Sequence, residues 1–193
     1  AEVKYYFNNM DSAVSDFIKS GYQVLNTQNN TIGLNRPIKA VVKLTDDREF
    51  VVEDVITVNF PENSMTLNIQ SNTGENDTYP NDNEVTNYIV GYGEISAWLK
   101  GFPAGANLTC VVNGNTINPI DNNKNSWKIP TTKIGESIVE VTVEMNGLKK
   151  SITGKINGSY NNNLRLESNG TSFNTGDNVY LWVKDAPHGA KVV

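Results

Sequence analysis

One stretch of this sequence occurs twice, and that repetition constrains the fold more than any other feature. Residues 95–106, ISAWLKGFPAGA, return as residues 179–190, VYLWVKDAPHGA, with Trp, Lys, Pro, Gly and Ala at the same spacing. Further upstream, residues 67–72 match residues 164–169 in the same way. Repetition of this kind indicates that one structural unit occurs twice along the chain.

The two matches have different offsets, so the first repeat is longer between its first two strands. The extra residues fall in 73–87, a polar stretch in which we predict an enlarged loop. The complete repeat then spans residues 63–159, close to the length of a β-sandwich domain of about 100 residues. The second repeat, residues 160–193, is truncated where an early strand is expected. Either the chain is a fragment of a longer protein, which we favour, or another chain completes the sheet.

Apolar and polar residues alternate within the complete repeat, which predicts strands with one buried face and one solvent face. The buried face is predicted to include Ile95, Ala97, Leu99, Leu108, Cys110, Val112, Val139, Val141, Val143 and Met145. Asn146-Gly147 then supplies a two-residue hairpin turn, and residues 148–156 return as the partner strand. The repeat is therefore predicted to be all-β.

Residues 1–62 differ from the repeats and are predicted to form a small β-rich domain with one short helix. Residues 3–7 have the composition of a strand. The helix is predicted because apolar residues recur at helical spacing, at Met10, Val14, Phe17 and Ile18. Asp11 is the expected N-cap, and Gly21 is the expected stop. Residues 38–44 and 50–60 read as a hairpin resembling the closing hairpin of the complete repeat, so a divergent sandwich is one interpretation of this domain.

Charge and cysteine content exclude several classes of function. The formal net charge is −5 and the isoelectric point about 4.9, whereas a protein that tracks a nucleic-acid backbone normally shows a basic face. No apolar run approaches the length needed to cross a bilayer, so membrane insertion is not expected. Cys110 is the sole cysteine, which rules out an intrachain disulfide.

No catalytic, cofactor-binding or metal-binding residues are predicted, and the chain is not expected to be an enzyme. His188, the sole histidine, lies in a turn where the first repeat has Ala104, so it is interpreted as a turn residue. Cys110 alternates with apolar neighbours and is interpreted as a small core residue. The acidic clusters within residues 75–84 lack the calcium-loop pattern and are interpreted as solvated loop.

Three sets of aromatic residues are candidates for binding. Tyr5, Tyr6 and Phe7 form a dense cluster that fits either a core strand or an anchor packed against a larger assembly. Phe102 is replaced by Ala186 in the second repeat, which makes it a candidate surface contact at a turn. The repeated tryptophans lie out of phase with their apolar neighbours, so both strand packing and an exposed ligand platform remain open for them.

The Trp-x-Lys-x-x-Pro-x-Gly turn at residues 98–105, the repeated strands and the absence of cysteine pairs resemble bacterial and phage immunoglobulin-like domains. The resemblance covers residues 63–193 and implies a fold superfamily, not a function. Such domains occur in tandem in tailed-phage head decoration proteins, similar to the highly immunogenic outer capsid family. They also occur in bacterial outer-membrane adhesins of the intimin and invasin type.

Of the proteins that the chain resembles in this way, we expect it to be a non-enzymatic virion decoration protein. Residues 1–62 are expected to anchor to the major capsid protein or another virion protein, with the sandwiches projecting from the virion surface toward a host-surface glycan or protein. The distinct N-terminal domain and the single unpaired cysteine favour this reading. The alternatives are an adhesin on the bacterial cell surface, a phage tail-fibre or baseplate component, and a carbohydrate-binding accessory module.

Overall fold

The computed structural model describes residues 1–19, 22–161, 163–186 and 191, and the chain is mainly β. Within those residues the helical structure is one 3-10 turn, Asn29–Thr31. The strands are β1 Glu2–Phe7, β2 Asn9–Ala13, β3 Gly33–Lys43, β4 Glu49–Val58, β5 Thr66–Gln70, β6 Asn76–Tyr79, β7 Val85–Ile89, β8 Ile95–Lys100, β9 Asn107–Val112, β10 Asn115–Ile117, β11 Ser126–Ile129, β12 Gly135–Met145, β13 Leu148–Ser159, β14 Arg165–Ser168 and β15 Leu181–Lys184.

The chain divides into two compact units. Unit 1 comprises Ala1–Ser64, Gly101–Leu108 and Thr142–Ser151, and unit 2 comprises the other described residues. The first segment of unit 1 ends close to the domain boundary predicted at residue 62. Unit 1 also takes in the ends of β12 and β13 and the turn after β8, which the sequence assigns to the complete repeat.

Unit 1 is built on one antiparallel sheet with the order β2-β1-β3-β4. The predicted hairpin is confirmed as β3 and β4, which pair from Lys43↔Glu49 to Gly33↔Val58 around a turn that contains Asp47 at φ 63. β1 pairs with the other side of β3, from Glu2↔Lys43 to Phe7↔Ile38. The described part of residues 1–62 therefore contains one four-stranded sheet and not the two sheets of a divergent sandwich.

The short helix predicted between Met10 and Ile18 is wrong. The chain turns back at Asn8, whose φ is 62, and residues Asn9–Ala13 form β2 against β1. Ile18 then pairs with Val3 through two backbone hydrogen bonds of 2.9 and 3.0 Å. The edge of β1 thus supplies the backbone partners that a helix would have supplied internally, and the helical spacing of the apolar residues is coincidental. The predicted stop, Gly21, lies outside the described residues.

Unit 2 is a β-sandwich whose two sheets have the orders β11-β8-β5-β6 and β10-β9-β12-β13-β7. The sheets meet at Gly154, where a side-chain carbon would lie 2.6 Å from the Ile69 side chain and 2.9 Å from the Tyr79 ring. The core includes the predicted positions Ile95, Ala97, Leu99, Cys110, Val112, Val139, Val141 and Val143, together with Trp127, Ile129 and Ile156. Period-two alternation therefore predicted the buried face of β8, β9 and β12 correctly, apart from Leu108 and Met145, which are half-buried. Leu108, Val143 and Met145 lie at the ends of β9 and β12, in the part of these strands that belongs to unit 1.

The enlarged loop predicted for residues 73–87 is also a correction, because it contains β6 and most of β7. β6 pairs with β5 at the edge of one sheet, and β7 pairs with β13 at the edge of the other. Both strands therefore face solvent on one side, which accounts for a polar composition that resembles a loop. The β7–β13 pair is parallel, in register from Val85↔Lys155 to Ile89↔Ser159.

The second repeat forms the two-stranded sheet β14–β15, with Leu166 opposite Val183. The aligned residues of the first repeat are Ile69 and Leu99, but in that repeat Ile69 lies opposite Ala97. The register therefore differs by two residues between the repeats, a shift that keeps every side chain on the same face. Residues 187–190 of the repeat, including His188, lie outside the described part of the chain.

Hydrogen bonds to residues 32–34 hold the turn between β12 and β13 within unit 1. The predicted turn Asn146-Gly147 is confirmed, with φ of 46 and 79 at its two residues. Asn146 donates its side-chain amide to the Ile32 carbonyl at 2.8 Å, and its own carbonyl accepts the Leu34 N–H at 3.1 Å. Gly33 lies between these bonds, and a side-chain carbon there would come within 2.5 Å of the Asn146 Cβ.

Gly33→Ala is expected to lower the free energy of unfolding by about 2–4 kcal/mol. Gly33 has φ +148, which disfavours any L side chain, and the added methyl group would push Asn146 away from its two hydrogen bonds. Gly105→Ala is the matched control, because Gly105 also has positive φ but nothing within 4 Å. Urea denaturation followed by circular dichroism should show the larger loss for Gly33→Ala, and equal losses would contradict the close packing at Gly33.

Candidate functional site

The three aromatic residues predicted as an anchor lie on β1, where the strand alternation separates them. Tyr5 and Phe7 point to one face of the unit 1 sheet, and Tyr6 points to the other. Phe7 is buried, whereas Tyr5 and Tyr6 are half-buried. The structure therefore does not present the three as one surface patch.

One face of the unit 1 sheet is almost entirely apolar, and we call it the apolar face. The register places three rows across β1, β3 and β4: Val3, Val42 and Phe50; Tyr5, Ala40 and Val52; and Phe7, Ile38 and Asp54. Phe50 is 52% exposed and Val52 is 61% exposed, although both belong to a sheet face that would be the core side in a two-layer domain. Asp54 is the one charged residue in these rows.

A cavity of about 350 Å³ opens on the apolar face. Tyr5, Ile38, Ala40, Val52 and Asp54 line it from the sheet, with Leu25 at its side. Ala40 contributes the smallest side chain of its row, so the cavity lies above it and between Tyr5 and Val52. A volume of this size accommodates one or two large apolar side chains.

The opposite face of the same sheet is polar, and Tyr6 is held within it. The Lys39 ammonium lies 4.2 Å from the centre of the Tyr6 ring and donates a 2.8 Å hydrogen bond to the Met10 carbonyl. Glu53 follows Lys39 across the sheet in the same row. Tyr6 thus contributes to holding β1 and β2 on β3 through a cation–π contact and packing.

β4 is the edge strand of this sheet, and the direction of its backbone groups follows from Pro37. The Pro37 carbonyl accepts the Asn8 N–H at 2.9 Å, so it points toward β1 and away from β4. The Pro37↔Val55 pair is therefore a non-hydrogen-bonded pair, and the N–H and C=O of Val55 point to the free edge. By alternation, the backbone groups of Val51 and Glu53 point the same way.

Phe102 lies in the turn between β8 and β9, beside the buried Pro103, and is partly exposed. Trp98 lies on the outer face of its sheet, opposite Asn68 and Ser126, as its phase in the sequence predicts. Trp182 is more exposed and donates its indole N–H to Glu167 at 3.1 Å. In each repeat the tryptophan therefore points to the opposite face of its strand from the apolar residues on either side of it.

The Cys110 thiol is fully buried in the unit 2 core, and burial raises its pKa from 9.0 to about 12. A thiol with so high a pKa is almost entirely protonated at neutral pH and is a poor nucleophile. Across the described ranges of the chain, no group of three or more His, Cys, Asp or Glu side chains is arranged to hold a metal ion. None of the helical segments described is long and apolar enough to span a bilayer.

The edge of β4 was not singled out by the sequence analysis. Part of the signal for this edge is in the sequence. Residues 49–58 carry adjacent apolar residues and only acidic charges, and the partner strand β3 contains a proline. No family model, no curated protein and no solved structure matches this chain. The function must therefore be inferred from the geometry of the chain itself.

Proposed function

We propose that the chain is a non-enzymatic attachment and display protein of a phage virion. Unit 1 binds the major capsid protein or another virion protein through its apolar face. The β-sandwich of unit 2 is displayed at the virion surface. The single observation that carries the proposal is the sheet of unit 1, whose apolar face leaves Phe50 and Val52 more than half exposed.

A partly exposed apolar sheet face favours attachment to another protein. Apolar side chains gain about 25 cal/mol for each Å² removed from water, so burying the Phe50 and Val52 rows would contribute strongly to binding. Contiguous exposed apolar surface on a folded protein typically marks an interaction site. The cavity between Tyr5 and Val52 adds a concave position for an anchoring side chain of the partner.

The strand order of unit 2 supports the display role. In immunoglobulin-like sandwiches the first two strands pair in one sheet and the last two pair in the other. Here the first two strands of the sandwich, β5 and β6, pair in one sheet, and its last two strands, β12 and β13, pair in the other, with β9 beside β12. Domains of this kind project binding loops from their ends. Many weak contacts on one particle add up to strong attachment.

The proposal predicts that Val52→Asp loses attachment and Val51→Asp keeps it. The two valines are adjacent and similarly exposed, at 61% and 58%, but Val52 lies on the apolar face and Val51 on the polar face. A carboxylate buried in an apolar contact costs well over 1.4 kcal/mol, so binding by Val52→Asp should fall by at least about tenfold. Co-sedimentation of the full chain with undecorated phage heads from its source measures this.

The experiment shows whether the chain attaches to phage heads and whether the apolar face makes the contact. If the parent chain does not pellet with heads, the virion role fails, and pelleting with bacterial cells would favour the adhesin alternative. If both variants pellet like the parent, the apolar face is not the contact surface. Circular dichroism of both variants checks that the sheet is retained.

A further inference from the structure

We infer that the free edge of β4 is a strand-addition site for an extended segment of the partner protein. The segment carries two apolar residues at alternating positions, followed or preceded two residues away by a lysine or arginine. This inference rests on the proposed function, because it specifies the chemistry of the partner to which unit 1 attaches.

The edge has backbone hydrogen-bonding groups ready for another strand. The N–H and C=O groups of Val51, Glu53 and Val55 point away from β3. Among the described residues, none of these groups bonds to another part of the backbone. The Val55 N–H bonds instead to the carboxylate of its neighbour Asp54 at 2.8 Å. An added strand would satisfy all of these groups, which is the source of affinity in strand addition.

The edge of β4 has few of the features that protect edge strands in natural sheets. Natural sheets protect edges with proline, bulges, short strands or charges. β4 has ten residues and no proline, and its pairing with β3 is regular from Glu49 to Val55. Only its acidic residues protect it. A long edge with four exposed apolar residues, Phe50, Val51, Val52 and Val55, is therefore best explained by a partner that covers it.

The acidic residues of β4 indicate that the added strand carries a lysine or arginine opposite Asp54. All three charged residues of the strand are acidic, and neither Glu53 nor Asp54 forms an ion pair with another described residue. A second molecule of this chain would bring the same acidic strand and would add no compensating charge. A strand with lysine or arginine opposite Asp54 forms a favourable cross-strand pair.

The apolar face gives the rest of the pattern. Phe50, Val52 and Asp54 alternate along the edge on that face, so the residues opposite them on an added strand also alternate. The two opposite Phe50 and Val52 are apolar, and the one opposite Val52 lies next to the cavity above Ala40. The one opposite Asp54 is basic. The specificity is therefore apolar-x-apolar-x-basic, read in either strand direction.

Selection from a yeast-surface library of random ten-residue peptides with the purified full chain tests this inference. The expected result is a recovered pool enriched in the apolar-x-apolar-x-basic pattern. Recovered peptides should bind Val55→Pro at least about tenfold more weakly. The proline removes an outward N–H and blocks the edge, whereas it leaves the β3 ladder intact, because Val55 donates no hydrogen bond to β3.

A charge-swap variant gives an independent readout. Asp54→Lys should weaken binding of the recovered peptides, and peptides with the basic residue changed to glutamate should regain it. Recovery of no binders, a pool without the basic position, or undiminished binding to Val55→Pro would each overturn the inference. An unchanged circular dichroism spectrum and an unchanged urea-unfolding midpoint confirm that the variants are folded.

The selection and the co-sedimentation experiment can fail separately. Peptide binding without attachment to phage heads would keep the strand-addition site and reject the virion partner. Attachment to heads that depends on Val52 but not on the edge variants would keep the proposed function and reject strand addition.

Discussion

Trp127→Ala is expected to lower the free energy of unfolding of unit 2 by about 3–5 kcal/mol. Trp127 is the largest side chain in the core and only 1% exposed. It lies on β11, at the edge of its sheet and opposite Ala97 on β8, which has too small a side chain to fill the space that the indole would leave. Chemical denaturation followed by circular dichroism measures the loss without relying on tryptophan fluorescence.

Trp182→Ala is the matched control in the same chain. Trp182 is 45% exposed on β15, and its indole hydrogen bond to Glu167 lies at the surface. Its replacement should change the free energy of unfolding by less than about 1 kcal/mol. Comparable losses from the two substitutions would mean that unit 2 does not depend on the core built around Trp127.

The Cys110 thiol is expected to react with a thiol reagent about a thousandfold more slowly in the folded chain than in the unfolded chain at pH 8. Burial raises its pKa from 9.0 to about 12, so the thiolate that attacks the reagent is correspondingly rare in the folded state. The rate of labelling with and without denaturant measures this. Rapid labelling of the folded chain would contradict the burial of Cys110.

The same pKa shift predicts that the protein becomes less stable in alkaline solution. Well below pH 9 the thiol is protonated in both states and contributes no pH dependence. Between pH 9 and about 12 the unfolded chain releases this proton and the folded chain retains it, so the free energy of unfolding falls as pH rises. Burial also raises the pKa of Tyr79 and Tyr88, which adds a loss of the same sign above pH 10.

Cys110→Val separates the contribution of the thiol from that of the tyrosines. The substitution keeps an apolar side chain in the core and should remove the part of the alkaline loss that starts near pH 9. The part that starts near pH 10 should remain. An unchanged pH profile would show that Cys110 does not supply the first part.

The buried strands of unit 2 could be predicted from the sequence because alternation records which face meets the other sheet. Ile95, Ala97 and Leu99 are buried as predicted, since β8 lies inside its sheet and has one core face. The Asn146-Gly147 turn was equally clear, because few residue pairs adopt its positive φ angles. Local sequence determined these features directly.

The errors occurred where a partner at a distance in sequence decided the structure. Residues Asn9–Ala13 form a strand because the edge of β1 lies beside them, although their apolar spacing also fits a helix. β6 and β7 are strands because of β5 and β13, and their polar residues reflect their positions at sheet edges. The direction of the β4 edge depends on a hydrogen bond between Pro37 and Asn8, which no local pattern encodes.

The parallel pairing of β7 with β13 determines how unit 2 carries tension. The last five residues of β13 are in register with the whole of β7. A pull on the chain just after Ser159 acts along β13 and loads the bonds between the two strands together, in shear. A hairpin pulled apart at its ends instead breaks one bond at a time. When β7 is held, a pull on this end of β13 would therefore have to break all of these bonds together, not one after another.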